Sequence, residues 1–180
     1  MRKNVFVLWG NILLVLGACT AAQAPSEPEY KPTATIKDIM NSMIDPNADV
    51  VWEAVASYVT ESGIEERAPR NDEEWARVRN SAITLLEASN LLLTPGRRVA
   101  EPGAKPEDSQ IELTPEEIET LINQDRQSWM ELAHGLHDSV LPALNAIDNK
   151  NAEELLYSSD VIDTACENCH EKYWYPNAGR

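Results

Sequence analysis

Apolar residues recur at three- and four-residue steps along four stretches of the chain, which is the spacing of an amphipathic helix. The first stretch covers Thr35–Tyr58 and the second covers Asp72–Leu93. The third runs from Thr114 to about Ile147, and the fourth runs from near Asn151 to the C-terminal cysteines. The pattern therefore predicts four helices and no strand, since no alternating stretch is longer than the helical alternatives.

Residues typical of helix ends support these boundaries. Asn71 is followed three residues later by Glu74, and Thr114 is followed by Pro115 and Glu117, as in a helix N-cap and a capping box. Prolines within the first and third stretches, Pro46 after Asp45 and Pro142, are expected to break or kink those helices. The Pro- and Gly-containing segment Thr94–Leu113 is predicted to be a long loop. We therefore predict an all-α fold, an antiparallel four-helix bundle over residues 34–180.

The first eighteen residues have the pattern of an export signal. Arg2 and Lys3 precede the apolar run Val5–Leu16, which is shorter than the ~20 residues of a membrane span. An uncleaved anchor helix is the alternative, and cleavage after Ala24 at a soluble-type signal is another. Residues 1–18 are thus assigned to a signal peptide.

The end of this segment, Leu-Gly-Ala followed by Cys19, resembles the lipobox of bacterial lipoproteins. That resemblance implies that Cys19 becomes the lipidated first residue, and Thr20 behind it favours the outer membrane. Residues 19–33 are rich in Ala, Pro, Ser and Glu, which is typical of a flexible tether. The expected location is the periplasm, with the domain anchored to the outer membrane.

The net charge of the chain limits the kinds of molecule that it is expected to bind. The chain carries 15 Lys and Arg against 30 Asp and Glu, a net charge of −15, and loss of Arg2 and Lys3 with the signal takes it to −17. Nucleic acid is excluded as a partner because phosphate binding needs a basic surface. A protein partner of this chain is expected to be basic.

The motif that indicates chemistry is Cys166-Glu167-Asn168-Cys169-His170, which has the spacing of a covalent haem c site. On a helix, residues three and four apart share a face, so both sulfurs and the imidazole project together. The two cysteines can form thioethers with one porphyrin, and His170 can reach its iron as an axial ligand. A zinc site would need a fourth ligand, which is not evident. A thioredoxin-like site would need a βαβ context, which is absent.

One haem motif near the C-terminus of a four-helix chain resembles the class II cytochromes c, the family of cytochrome c prime and cytochrome c-556. The similarity covers Thr35–Trp174 and also rests on a methionine in the first helix. It implies a haem held among the helices, with His170 as the proximal ligand. Family members usually have a basic residue four positions after that histidine, where this chain has Trp174. Members of the family often form dimers, which implies a homodimer here.

In the low-spin members of that family, a methionine of the first helix is the second iron ligand, and in five-coordinate members an apolar side chain takes its place. Met40 and Met43 are three residues apart and can share one face. The resemblance favours Met40, with Met43 as the alternative. Core packing is the other interpretation of both, because methionine fills gaps in helical cores.

Other side chains are weaker candidates. His134 and His137 are expected to be solvated rather than iron-ligating. Lys37 and Arg126 could pair with haem propionates, although exposed cations are the commoner outcome. The tryptophans Trp52, Trp75 and Trp129 are expected in the core, with stacking near the porphyrin as an alternative.

The function predicted from the sequence is that of a monohaem c-type cytochrome that carries single electrons in the bacterial cell envelope, without enzymatic activity. Its alternative is a five-coordinate haem protein that binds nitric oxide or carbon monoxide, as cytochrome c prime does. A haem-free interaction or metal-binding bundle is the third possibility. A visible spectrum separates the three.

Overall fold

The computed structural model describes residues 30–176, so the predicted signal peptide, Cys19 and most of the predicted tether lie outside the described residues. Within them the chain is mostly helical with one small antiparallel sheet. None of the helices in this described part is both long and apolar enough to cross a bilayer. The predicted helical class is therefore confirmed, and the sheet is an addition to it.

The first predicted helix is three consecutive helical segments. Helix α1 covers Ile36–Ile39, a π-helical turn covers Met40–Ile44, and α2 covers Asp45–Glu53. The irregularity expected at Pro46 takes the form of a change in helical winding: the π turn ends at Ile44, and Pro46 lies in the first turn of α2.

A β-hairpin follows α2, and the prediction that the first helix extends to Tyr58 was wrong. Strand β1, Ala56–Thr60, pairs antiparallel with β2, Gly63–Arg67. The β-branched residues of β1 favour extended backbone, and Gly63 adopts a φ of +129°, which other residues rarely reach. Val59 and Ile64 pair across the strands and are 90% and 71% exposed, so the hairpin projects from the helical core.

Helix α3 covers Asp72–Leu91, and Asn71 caps it by accepting a hydrogen bond from the Glu74 amide at 2.9 Å. The predicted loop follows it. This loop is tied to the start of α1 by hydrogen bonds from the Ile36 and Lys37 amides to the Arg98 and Val99 carbonyls, both 2.9 Å long. The loop therefore stays close to the first helix despite its length.

The third predicted helix is divided in two. Helix α4 covers Pro115–Gln124 and α5 covers Arg126–Asp148, because Asp125 leaves helical geometry and caps α5 through the Ser128 amide. The capping box at the start of α4 is present as expected. Pro142 lies inside α5, which continues past it.

Helix α6 covers Ala152–Tyr173 and contains the whole Cys-x-x-Cys-His motif. It packs against α5, which also packs against α3, and α3 in turn contacts α2. The core contains fully buried aliphatic side chains, namely Ile39, Val51, Leu85, Val140, Leu155 and Ile162. Burial of these side chains is the main source of stability for the fold.

Candidate functional site

The motif lies in the last two turns of α6, where the helix passes from core to surface. Asn151 caps the start of α6 through the Glu154 amide, and a basic residue, Lys172, lies in the last turn, as the helix dipole favours. Cys166, Cys169 and His170 are all partly buried on the side of the helix that faces the core. The helix therefore presents two sulfurs and one imidazole on one face, as predicted.

Two clefts adjoin this face. The larger, of about 850 Å³ out to its open mouth, lies between the first helix, the long loop and the end of α6. The smaller, of about 390 Å³, lies deeper, between the first helix, α5 and α6. The residues that line both clefts are Met40, Asp45, Trp129, Cys169 and His170. The two clefts thus adjoin each other beside the motif, and we call these two mainly apolar spaces together the α6 cavity.

The first helix forms a second wall of the α6 cavity, beside the wall formed by α6. Met40 lines both clefts, whereas Met43 lines neither and packs on the core instead. The π-helical turn begins at Met40, where the Asp45 amide bonds to the Met40 carbonyl. Single π turns inside helices are frequently found at functional sites. The structure therefore brings Met40, rather than Met43, to the same cavity as His170.

The other two histidines lie away from this space. His134 is exposed, and the Nδ1 atom of His137 lies 3.1 Å from the Asp138 carboxylate. Neither side chain lines the α6 cavity. Their position agrees with the expectation that both are solvated.

The two cysteines are free thiols in this structure. Burial, and for Cys166 the nearby Asp163 carboxylate, raises the pKa of Cys166 to about 12 and that of Cys169 to about 11. Catalytic redox cysteines need the opposite shift, because the thiolate is the reactive form. The environment is therefore unlike that of a thioredoxin-type site.

His170 is also affected by burial. Loss of hydration lowers the pKa of the imidazole, and the Glu167 and Asp45 carboxylates oppose that shift. A neutral imidazole is the form that binds iron. Among the residues described here, no cluster of three or more His, Cys, Asp or Glu side chains is arranged to hold a bare metal ion, so a zinc site gains no support.

Aromatic side chains close the space around the motif. Trp129 lines both clefts, and its Nε1 donates to the Leu92 carbonyl at 3.0 Å. Its ring meets Tyr173 edge-on, with centroids 5.2 Å apart. Trp52 and Trp75 line neither cleft, so of the three predicted tryptophans only Trp129 lies beside the cavity.

Cations at the mouth of the larger cleft differ from those expected. Lys37 lines it, with its ammonium group 3.3 Å from the Glu107 carboxylate, and Lys105 lines it as well. Arg126 does not, and its guanidinium donates to the Leu93 carbonyl at 2.7 Å instead. Lys105 was missed by the sequence analysis because nothing in a Pro-rich loop indicates which side chain folds back towards a helix.

Comparison with models of protein families, with curated proteins and with solved structures finds no match for this chain. Any function assigned to this chain therefore depends on the residues of the α6 cavity.

Proposed function

We propose that this chain binds one haem c covalently through Cys166 and Cys169, with His170 as an axial iron ligand, and carries single electrons. The observation that supports the proposal most directly is that Met40, Cys169 and His170 line one mainly apolar cavity. When bound, the haem supplies an iron centre that gains and loses one electron reversibly.

The residues present fit such a group in their chemistry. Neither cysteine is paired in a disulfide, so both sulfurs are in the reduced state that thioether formation with the vinyl groups of a porphyrin requires. The desolvated imidazole of His170 is held in its iron-binding neutral form. Apart from Asp45, aliphatic and aromatic side chains line the rest of the smaller cleft, and they would exclude water from a ring placed there.

Met40 favours electron transfer over gas binding. Met40 lines both clefts together with His170, so its thioether would be available to the iron as a second ligand. Ligation by histidine and methionine leaves no open position at the iron and raises the reduction potential. We further propose that the first helix, α3, α5 and α6 form the four-helix arrangement of the class II cytochromes c.

Export and anchoring complete the proposal. An N-terminal signal followed by Cys19 supports delivery to the periplasm and lipid attachment to the outer membrane. The strongly acidic chain is expected to exchange electrons with a basic partner protein. A Cys19→Ala variant should retain haem but leave the membrane fraction, and membrane retention of that variant would contradict lipid anchoring through Cys19.

The test is expression of the full chain in a bacterium with a cytochrome c maturation system. The mature protein should gain the mass of one haem that resists acid–acetone extraction, and its reduced spectrum should be low-spin. The matched control is the Cys166→Ala/Cys169→Ala double variant, which should carry no covalent haem. A bare polypeptide in the wild type would overturn the proposal, and a high-spin spectrum that shifts with carbon monoxide would replace electron transfer with gas binding.

A further inference from the structure

Glu167, the first variable residue of the motif, lies beside the axial imidazole. Its Oε1 atom is 3.9 Å from the Nδ1 atom of His170. That distance is longer than a direct hydrogen bond, but one side-chain rotation or one bridging water closes it. With Nδ1 facing Glu167, Nε2 is the ring nitrogen left for the iron.

A second residue holds the Glu167 carboxylate in place. The Tyr175 hydroxyl lies 2.9 Å from each of the two Glu167 oxygens and donates to them. Burial and this hydrogen bond raise the pKa of Tyr175, so the phenol keeps the proton that it donates. The backbone fixes the geometry further, because the amides of Trp174 and Tyr175 both bond to the His170 carbonyl, at 2.8 and 3.0 Å.

The aromatic rings on this side also restrain the imidazole. Trp174 meets the ring of His170 edge-on at 5.0 Å, and the Tyr175 ring lies 5.8 Å from it. Glu167, Trp174 and Tyr175 thus pack around the imidazole, and Trp174 also lines the larger cleft. We call these three residues the imidazole support.

We propose that Glu167 is a positioning residue that accepts a hydrogen bond from Nδ1 of His170, and that Tyr175 sets how much negative charge Glu167 offers. This inference rests on the proposed haem function. A carboxylate partner makes a ligating imidazole more basic and more electron-donating, which stabilises ferric over ferrous iron. Glu167 therefore lowers the reduction potential that the histidine–methionine pair would otherwise give.

Substitutions of Glu167 and of Tyr175 should shift the reduction potential in opposite directions. Glu167→Gln removes the carboxylate charge, so the reduction potential should shift upwards. Tyr175→Phe removes a donor from the carboxylate and leaves more charge for the imidazole, so the potential should shift downwards. A loss of packing alone would give no reason for opposite shifts.

Glu171 provides a matched control for simple charge removal. It follows His170 directly in α6 and is exposed. Glu171→Gln removes the same charge at a similar distance along the helix but leaves the Glu167 carboxylate and Tyr175 in place. Its potential should shift upwards by clearly less than that of Glu167→Gln.

The experiment is redox titration of purified holoprotein for the wild type and these three variants, with haem content measured for each. An upward shift in Glu167→Gln that exceeds that of Glu171→Gln, together with a downward shift in Tyr175→Phe, supports the inference. Equal shifts in the two glutamine variants, or an unchanged potential in Tyr175→Phe, overturn it. Wild-type protein without covalent haem would instead overturn the proposed function, so the two failures are distinguishable.

Discussion

The two walls of the α6 cavity are built in different ways. The α6 wall, Cys166, Cys169 and His170, lies on an uninterrupted α-helix in which the functional atoms come from five consecutive residues. The other wall, Met40 and Asp45 of the first helix, spans a π-helical turn that begins at Met40 and ends where α2 begins at Asp45. A regular helix forms one wall, and a local irregularity forms the other.

Helix geometry explains why the second wall needs that irregularity. Five residues of a regular α-helix turn through about 140° beyond one full turn, so residues five apart point to different sides. The π turn instead places Met40 and Asp45 on one side, and both line the cavity. The comparison shows that the motif wall follows from spacing alone, whereas its partner depends on how the first helix winds.

The largest expected effect comes from breaking the α6 wall. His170→Ala removes the only motif imidazole, so the whole population should lose the low-spin absorption spectrum. The measurement is the visible spectrum per mole of protein, with His137→Ala as the control, since His137 lines neither cleft. A low-spin spectrum that survives in His170→Ala would contradict the assigned ligand.

Substitution of Met40 in the first-helix wall should change iron ligation without loss of the haem. Met40→Ala should leave haem attached but open one iron position, so that the reduced protein binds carbon monoxide and its potential falls. Met43→Ala is the matched control, because Met43 packs on the core outside both clefts, and it should keep the low-spin spectrum. Identical spectra for Met40→Ala and the wild type would show that Met40 is not a ligand.

The contrast between the regular α6 wall and the irregular first-helix wall also explains how much of the site could be predicted from the sequence. The shared face of Cys166, Cys169 and His170 and the caps at Asn71 and Thr114 depend on contacts within four residues of chain, and their positions could be predicted. The cap at Asp125, which divides the third predicted helix, is also local, but its signal was not recognised within a long apolar pattern.

The parts that could not be predicted depend on the path of the backbone, which no residue pattern specifies. Pro46 indicated an irregularity in the first helix, but not that a π turn before it would bring Asp45 to the cavity. Tyr175 reaches Glu167 only because the chain folds back after α6 ends. The hairpin, in contrast, could have been predicted. The β-branched residues of β1 and the following Gly63 indicate a hairpin, but the helical spacing of apolar residues was given more weight.

A third prediction tests whether the α6 wall is already formed before haem is attached. With pKa values of about 12 for Cys166 and about 11 for Cys169, the folded haem-free chain holds little thiolate at pH 8. Relative to the usual thiol pKa of about 9, these values leave about one-hundredth of the usual thiolate fraction for Cys169 and about one-thousandth for Cys166. Alkylation by iodoacetamide should therefore be about a hundredfold slower for Cys169 and about a thousandfold slower for Cys166 than in the denatured chain. Single cysteine-to-alanine variants separate the two rates, and equal rates in folded and denatured chain would contradict a preformed wall.

The smallest expected effect compares two helix caps. Thr35 accepts from the Asp38 amide at the start of α1, and Asn71 accepts from the Glu74 amide at the start of α3. Replacement of either residue by alanine should cost about 1 kcal/mol of unfolding free energy, measured by denaturant titration of the holoprotein.

The two cap variants should differ in their effect on iron ligation. Thr35 anchors the helix that carries Met40 five residues later, whereas Asn71 anchors a helix whose start lies away from the cavity. Thr35→Ala should therefore speed carbon monoxide binding to the reduced protein, because Met40 is held less firmly, and Asn71→Ala should leave that rate unchanged. Equal rates of carbon monoxide binding in Thr35→Ala and Asn71→Ala, at equal losses of stability, would contradict this prediction. They would show that the first-helix wall is as rigid as the α6 wall and that its irregular winding has no effect on Met40.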